Sequence, residues 1–190
     1  KSKRFSVNKN IDEAAPIAAK VNVLDLLDKD EHENLEFKST FRWDTRQNNV
    51  NKILEKSVMK TIAAFLNSRG GHLVIGVDDN KTIVGLTADY GSLVRKDADG
   101  FENHFTLVFN TMIGPEFRQL VKVWFNILAN NDICIIQVTP SGRPVYLKLE
   151  DSEHFYVRTG NVTTPLKLSE IEAYRRSRWP QRTSVNELYK

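Results

Sequence analysis

The segment EHENLEFKST, followed after one long helical stretch by FLNSRGGHLVIGVDD, limits what this chain can become more than any other feature. Glu36-Phe37-Lys38 reads as a strand. Because side chains alternate across a strand, Glu36 and Lys38 share one face while Leu35 and Phe37 share the other. The pattern predicts one buried face and one chemical face. Glu31 lies five residues before Glu36, and Asp78 and Asp79 end the apolar strand Leu73 to Val77. If the two strands pair, three carboxylates and a lysine converge.

Between these strands, Leu54, Val58, Ile62 and Phe65 recur at helical spacing from Asn51 to Ser68, and Gly70-Gly71 supplies a stop. The opposite side carries Lys52, Lys56 and Lys60, ordinarily a solvated face, with phosphate contact as the alternative. VNVLDLLDKDE predicts a short helix with Val23, Leu26 and Leu27 inward, and FRWDTRQNNV a polar loop offering Arg42, Trp43 and Arg46 to a ligand. HLVIGVDD and KTIVGL read as two strands about a turn at Asp79-Asn80. TADYGSLVRKDADG is a polar excursion. Asp99 with Glu102 then fits a capping box for an amphipathic helix through Phe101, Phe105, Val108 and Met112, stopped by Gly114-Pro115. His104 on that helix reads as an exposed or edge residue rather than a ligand.

The remainder is mostly strand. LVKVWFNIL alternates, Asn130-Asn131-Asp132 turns, and DICIIQV is apolar enough to be central. PVYLKL and EHFYVRTG predict a hairpin with Val145, Leu147, Leu149, Phe155 and Val157 inward and Tyr146, Lys148, Tyr156 and Arg158 on the opposite face. Aromatics alternating with cations suit base stacking and phosphate contact, with an ordinary solvent face as the plain alternative. Ser169 and Glu172 fit a second capping box, opening a helix that carries Arg175, Arg176 and Arg178 in its last turns, where cations also stabilise the helix dipole. The element order predicts an α/β (α+β) fold with a mixed, mainly antiparallel sheet flanked by helices. A basic arm or linker over 1–20, one domain over 21–180 and a flexible tail over 181–190 are expected.

Composition narrows the chemistry. A chain of 190 residues, 41% hydrophobic, supports one domain, and a formal net charge of +3 leaves any nucleic-acid surface to local clusters of Lys and Arg. The single Cys134, inside ICIIQV, excludes an intramolecular disulfide and a Cys-rich zinc site. His32, His72, His104 and His154 show no metal-ligand spacing, and no serine sits in a glycine elbow. Gly71 and Gly76 match the glycines of a phosphate-binding loop, yet a strand, HLVI, fills the space between them and Val77 stands where the lysine belongs. No segment approaches the roughly 20 apolar residues of a membrane helix, and a cytoplasmic location is expected. The chain starts at Lys1 without methionine, which suggests a processed, tagged or excised fragment, with a longer parent chain as one reading. What remains is the acidic set Glu31, Glu33, Glu36, Asp78 and Asp79. Crowded carboxylates repel unless a divalent cation or basic neighbours neutralise them, and oxygen ligands of this kind suit Mg²⁺ or Mn²⁺. A surface ion-pair network of Glu36 with Lys38 and nearby arginines is the competing reading.

The ordered set ENLEFKS, KTIAAFLNSRGGHLVIGVDD, VGL, PVYLK, FYVRTGN and TTPL, from about Glu31 to Trp179, resembles the Schlafen Alba-like domain. The family's α/β fold agrees with the element order. The resemblance implies a divalent-metal-dependent endoribonuclease acting on transfer or ribosomal RNA. Its paired acids match Glu31 and Glu36, and its third matches Asp78 or Asp79. Lys38, Arg158 and the Arg175 to Arg178 cluster would then position the RNA, joined by Arg42, Arg46, Lys60, Tyr146, Lys148 and Tyr156. A non-catalytic DNA- or RNA-binding and dimerising module is the alternative. The family's animal enzymes pair two related lobes in one chain; this chain has one, so the resemblance implies a homodimer.

Overall fold

The computed structural model describes residues 21–180; the arm and the tail expected over 1–20 and 181–190 lie outside the described residues. The chain enters through helix α1 (Val23–Leu27), capped by the Asn22 side chain, and runs into strand β1 (Leu35–Lys38). The expected polar loop is a small hairpin, β2 (Trp43–Asp44) with β3 (Asn49–Val50). Helix α2 (Lys52–Asn67), capped by Asn51, then leads to β4 (Gly71–Ile75), which pairs in parallel with β1, Glu36 opposite Leu73 and Lys38 opposite Ile75. Gly70 adopts φ +75° at the end of α2, where its N–H reaches back to the Phe65 carbonyl, the conformation for which the glycine stop is suited.

Past β4 the sequence pattern and the fold part company. The second strand expected over KTIVGL does not form; a single bridge joins Val77 to Ile83. The polar excursion contains a short helix, α3 (Thr87–Gly91). Helix α4 (Ala98–Met112) is capped by Asp97, whose carboxylate accepts from the Gly100 N–H, two residues earlier than the box predicted at Asp99. A 3-10 turn (Pro115–Leu120) delivers the chain to β5 (Val121–Leu128), which forms a hairpin with β6 (Asn131–Val138). Ala129 and Asn130, both at positive φ, make that turn.

The four-stranded sheet runs β1-β4-β6-β5, with every pairing except β1–β4 antiparallel. Both faces are covered. On one, α1 packs Val23 and Leu26 over Leu35, Phe37, Val74, Ile135 and Trp124; on the other, α2 and α4 close the larger core over Leu73, Ile75, Ile136 and the buried Cys134.

The hairpin expected from PVYLKL and EHFYVRTG splits into two. β7 (Leu147–Leu149) pairs with β8 (Ser152–His154), and β9 (Tyr156–Thr159) pairs with β10 (Val162–Pro165). Tyr156, expected on an open face, is in the main core, and the Arg158 side chain is 1% exposed. Alternation failed here because β9 lies across α2 and is buried on both sides. Helix α5 (Leu168–Arg178) is the last element of the described residues; Glu170, rather than Glu172, reaches back to the N–H of Lys167.

The end of α2 is where these parts join. Its last carbonyls, on Leu66, Asn67 and Ser68, accept from the Ser141 N–H, the Tyr174 hydroxyl and the Arg178 guanidinium. The fully buried Asn67 side chain donates to the carbonyls of Val145 and Tyr156 and accepts from the Val145 N–H, at 2.8 to 2.9 Å. Asn67→Ala strands all three backbone groups, so a loss on the order of 3 kcal/mol is expected, read as a lower urea midpoint with an unchanged m-value.

Candidate nucleic-acid interface

β1 is the sheet edge around which the predicted site residues fall. Glu36 and Lys38 share a face as the alternation predicts, but that face is the one under the main core, and Glu36 is only 9% exposed. Both carboxylate oxygens are engaged: Oε1 accepts from Lys38 Nζ at 2.5 Å, and Oε2 from Arg158 Nη1 at 2.9 Å. Arg158 also donates to Thr163 Oγ1 and the His32 carbonyl, and its guanidinium lies 5.1 Å over the Phe65 ring. Glu31 Oε1 accepts the Phe37 N–H at 2.7 Å, filling a donor that β1 would otherwise leave open along its free edge.

The remaining acids have other duties. Asp78 Oδ1 accepts from the N–H groups of Asn80 and Thr82, closing the turn after β4, and Asp79 is exposed beside it. Glu33 faces solvent near Arg69. Among the described residues no group of three or more His, Cys, Asp or Glu side chains is gathered to hold a metal ion. As arranged, the donor set does not fit Mg²⁺ or Mn²⁺, because Glu36 gives both oxygens to cations and Asp78 commits one to its turn.

The cations divide into tied and free. Arg42 donates to the Ser92 carbonyl and lies 3.0 Å from Glu55, a buried acid that also meets His104 Nε2 at 2.7 Å. His104 is thus half-buried and partnered. Arg46 is exposed in the β2–β3 connection, Lys60 sits 5.7 Å over the Tyr156 ring, Lys148 is exposed on β7, and Tyr146 packs edge-on against Phe155. These do not form one surface. The arginines of α5 do. Arg175 and Arg176 pair with Glu172 yet keep 47% and 79% of their side chains exposed. With Arg143 and Trp179 they line a cavity of about 610 Å³. On the other side of α5, Arg69, Arg158 and Arg178 line a smaller one.

Two features escaped the sequence reading. Asp89 on α3 is fully buried and accepts the N–H groups of Phe41, Arg42 and Trp43, fixing the chain after β1. Burial pushes its carboxyl above the ordinary carboxylate value, against the pull of those donors and Arg42. Burial also lowers the His72 imidazole below its ordinary value, helped by Lys29. Arg69 and Ser68 were hidden inside the glycine-stop motif NSRGG, where helix termination already explained the residues.

An α+β domain with a mixed four-stranded sheet, flanking helices and a cation-rich edge is the class that fold and site define. The sequence profile of the Schlafen, AlbA_2 family matches residues 31–167, most of the chain, and the chain belongs to that family. The crystal structure of the DIP2311 protein from Corynebacterium diphtheriae is similar, with a TM-score of 0.56 at 18% identity over 82% of this chain, a likeness of fold. This chain spans 31% of that protein's length. Family membership supports a nucleic-acid-related function.

Removing Glu36 leaves a buried guanidinium without its carboxylate. Glu36→Ala is expected to cost about 3 kcal/mol, whereas Glu36→Leu combined with Arg158→Met recovers most of it; thermal melts of the single and double variants check both.

Proposed function

We propose that this chain is a nucleic-acid-binding domain that grips the phosphate backbone of structured RNA through the guanidiniums around α5. The observation that carries the reading is the placement of arginine-lined depressions on both sides of that helix, one of them beside Trp179. Guanidiniums neutralise phosphate and a flanking indole offers a stacking surface, with shape mattering more than base sequence. A homodimer would widen the grip into a cradle. The 31% span of the matched Corynebacterium protein suits a domain that works joined to others.

RNA affinity is expected to fall steeply with salt, and Arg175→Gln with Arg176→Gln to lower the slope of log K against log salt by about 1 per lost phosphate contact. Anisotropy titrations with hairpin RNA and duplex DNA at several salt concentrations read both quantities. Equal affinity with and without these arginines would sink the reading, and preference for the DNA duplex would change its substrate.

Metal-dependent endoribonuclease activity, implied by the resemblance, is the second reading; its paired acids Glu31 and Glu36 both belong to the β1 edge. The resemblance assigns Glu31, Glu36 and Asp78 or Asp79 to Mg²⁺ or Mn²⁺ and Lys38 to the phosphate. It requires Glu36 to release Lys38 or Arg158 first. Labelled transfer RNA incubated with Mn²⁺, with Mg²⁺ and with EDTA tests it. Under this reading, cutting needs the metal and vanishes in Glu31→Gln/Glu36→Gln while RNA binding persists; binding without cutting leaves the domain a targeting module.

A further inference from the structure

The smaller depression, between the end of α2, β9 and α5, holds about 200 Å³. That is below the roughly 300 Å³ at which pockets begin to take drug-sized ligands, so it suits a small group. Its walls include Ser68, Arg69, Arg158, Tyr174, Arg178 and Glu33. The chemistry of those walls is one-sided. Arg158, with its side chain 1% exposed, has a buried Nε with no hydrogen-bond partner, a costly state for a cation's donor. Arg178 gives Nε and Nη2 to the Ser68 carbonyl and, among the described residues, forms no ion pair with a carboxylate. Arg69 meets Glu33 only at 3.5 Å with 80% of its side chain exposed, a weak pair. Ser68 Oγ accepts the Arg158 N–H, which leaves its own proton free to donate.

Counting charges around the depression sharpens the ligand. Among the side chains that line the depression, Arg69, Arg158 and Arg178 make three cations against one carboxylate, Glu33. Two positive charges are uncompensated. A phosphate monoester carries about −1.5 to −2 at neutral pH, whereas an internal phosphodiester carries a single charge. Resting on the RNA-binding reading above, we infer that this depression is a subsite for a terminal phosphate monoester of the bound nucleic acid, held by Arg69, Arg178 and the Ser68 hydroxyl over the buried Arg158. It would bind a chain end and so set where the rest of the strand lies along α5.

The test uses internally labelled short RNAs carrying a 5′-phosphate, a 3′-phosphate or hydroxyls at both ends, titrated against the wild-type chain, Arg69→Gln and Arg178→Gln. One phosphorylated form is expected to bind about tenfold tighter than the hydroxyl-ended RNA, and which one identifies the end. The gain should vanish in Arg69→Gln, whose exposed side chain makes the substitution harmless to the fold, so that the variant binds phosphorylated and hydroxyl-ended RNA equally, whatever affinity for backbone phosphate it loses in common to both. Titration with inorganic phosphate should shift the backbone amide resonances of Ser68, Arg69 and Arg158, and not in Arg69→Gln. Equal affinity for all three RNAs overturns the subsite and leaves backbone binding standing. If no RNA binds at all, the broader reading fails, and the phosphate titration decides the pocket alone: localised shifts uphold an oxyanion site and their absence overturns it.

Discussion

A guanidinium sealed from water is the constraint on which the site depends. Arg158 reaches from β9 to the Glu36 carboxylate, the His32 carbonyl and the Thr163 hydroxyl, and lies over Phe65 of α2. Taking such a cation out of water costs several kcal/mol unless a counter-charge and enough acceptors replace the solvent. Glu36 provides the charge and the other two oxygens most of the acceptors. The edge of the sheet, the turn before it and the β9–β10 hairpin are consequently one electrostatic unit. Lys38 adds a second cation to the same carboxylate, so Glu36 itself is outnumbered two to one.

That arrangement recasts the acidic residues. Several carboxylates near one strand invite a metal-site reading, yet three of them have a local assignment in the fold. Glu31 fills a donor on the open edge of β1, Asp78 ties its own turn, and Glu36 answers Arg158. The acids nearest Arg158 thus temper a cationic surface.

How far the sequence could show this depends on the range of the forces involved. β1, α2 and β4 were legible because alternation, helical spacing and the glycine stop are local, and so was the core position of Cys134. The strand read between Gly71 and Gly76 is present as β4. The pairing of Glu36 and Lys38 on one face was legible as well, but alternation says which side a residue takes and nothing of what covers it. Tyr156 and Arg158 illustrate the same limit, drawn inward because β9 crosses α2. The start of α4 failed differently: Asp97 and Asp99 both suit a cap, and the box pattern favoured the wrong one. Asp89 left no periodic signal, because its partners are backbone N–H groups some 46 to 48 residues away.

The Arg158 to Glu36 contact spans 122 positions. A helix turn or a hairpin can assemble as soon as its own residues are present, whereas a contact of this separation must wait for a large loop to close. During folding, β1 and β4 can therefore meet while Glu36 still has water and Lys38 for company. Arg158 meets Glu36 only when β9 settles across α2. The Arg158 to Glu36 pair is thus an attribute of the finished chain rather than of any local segment.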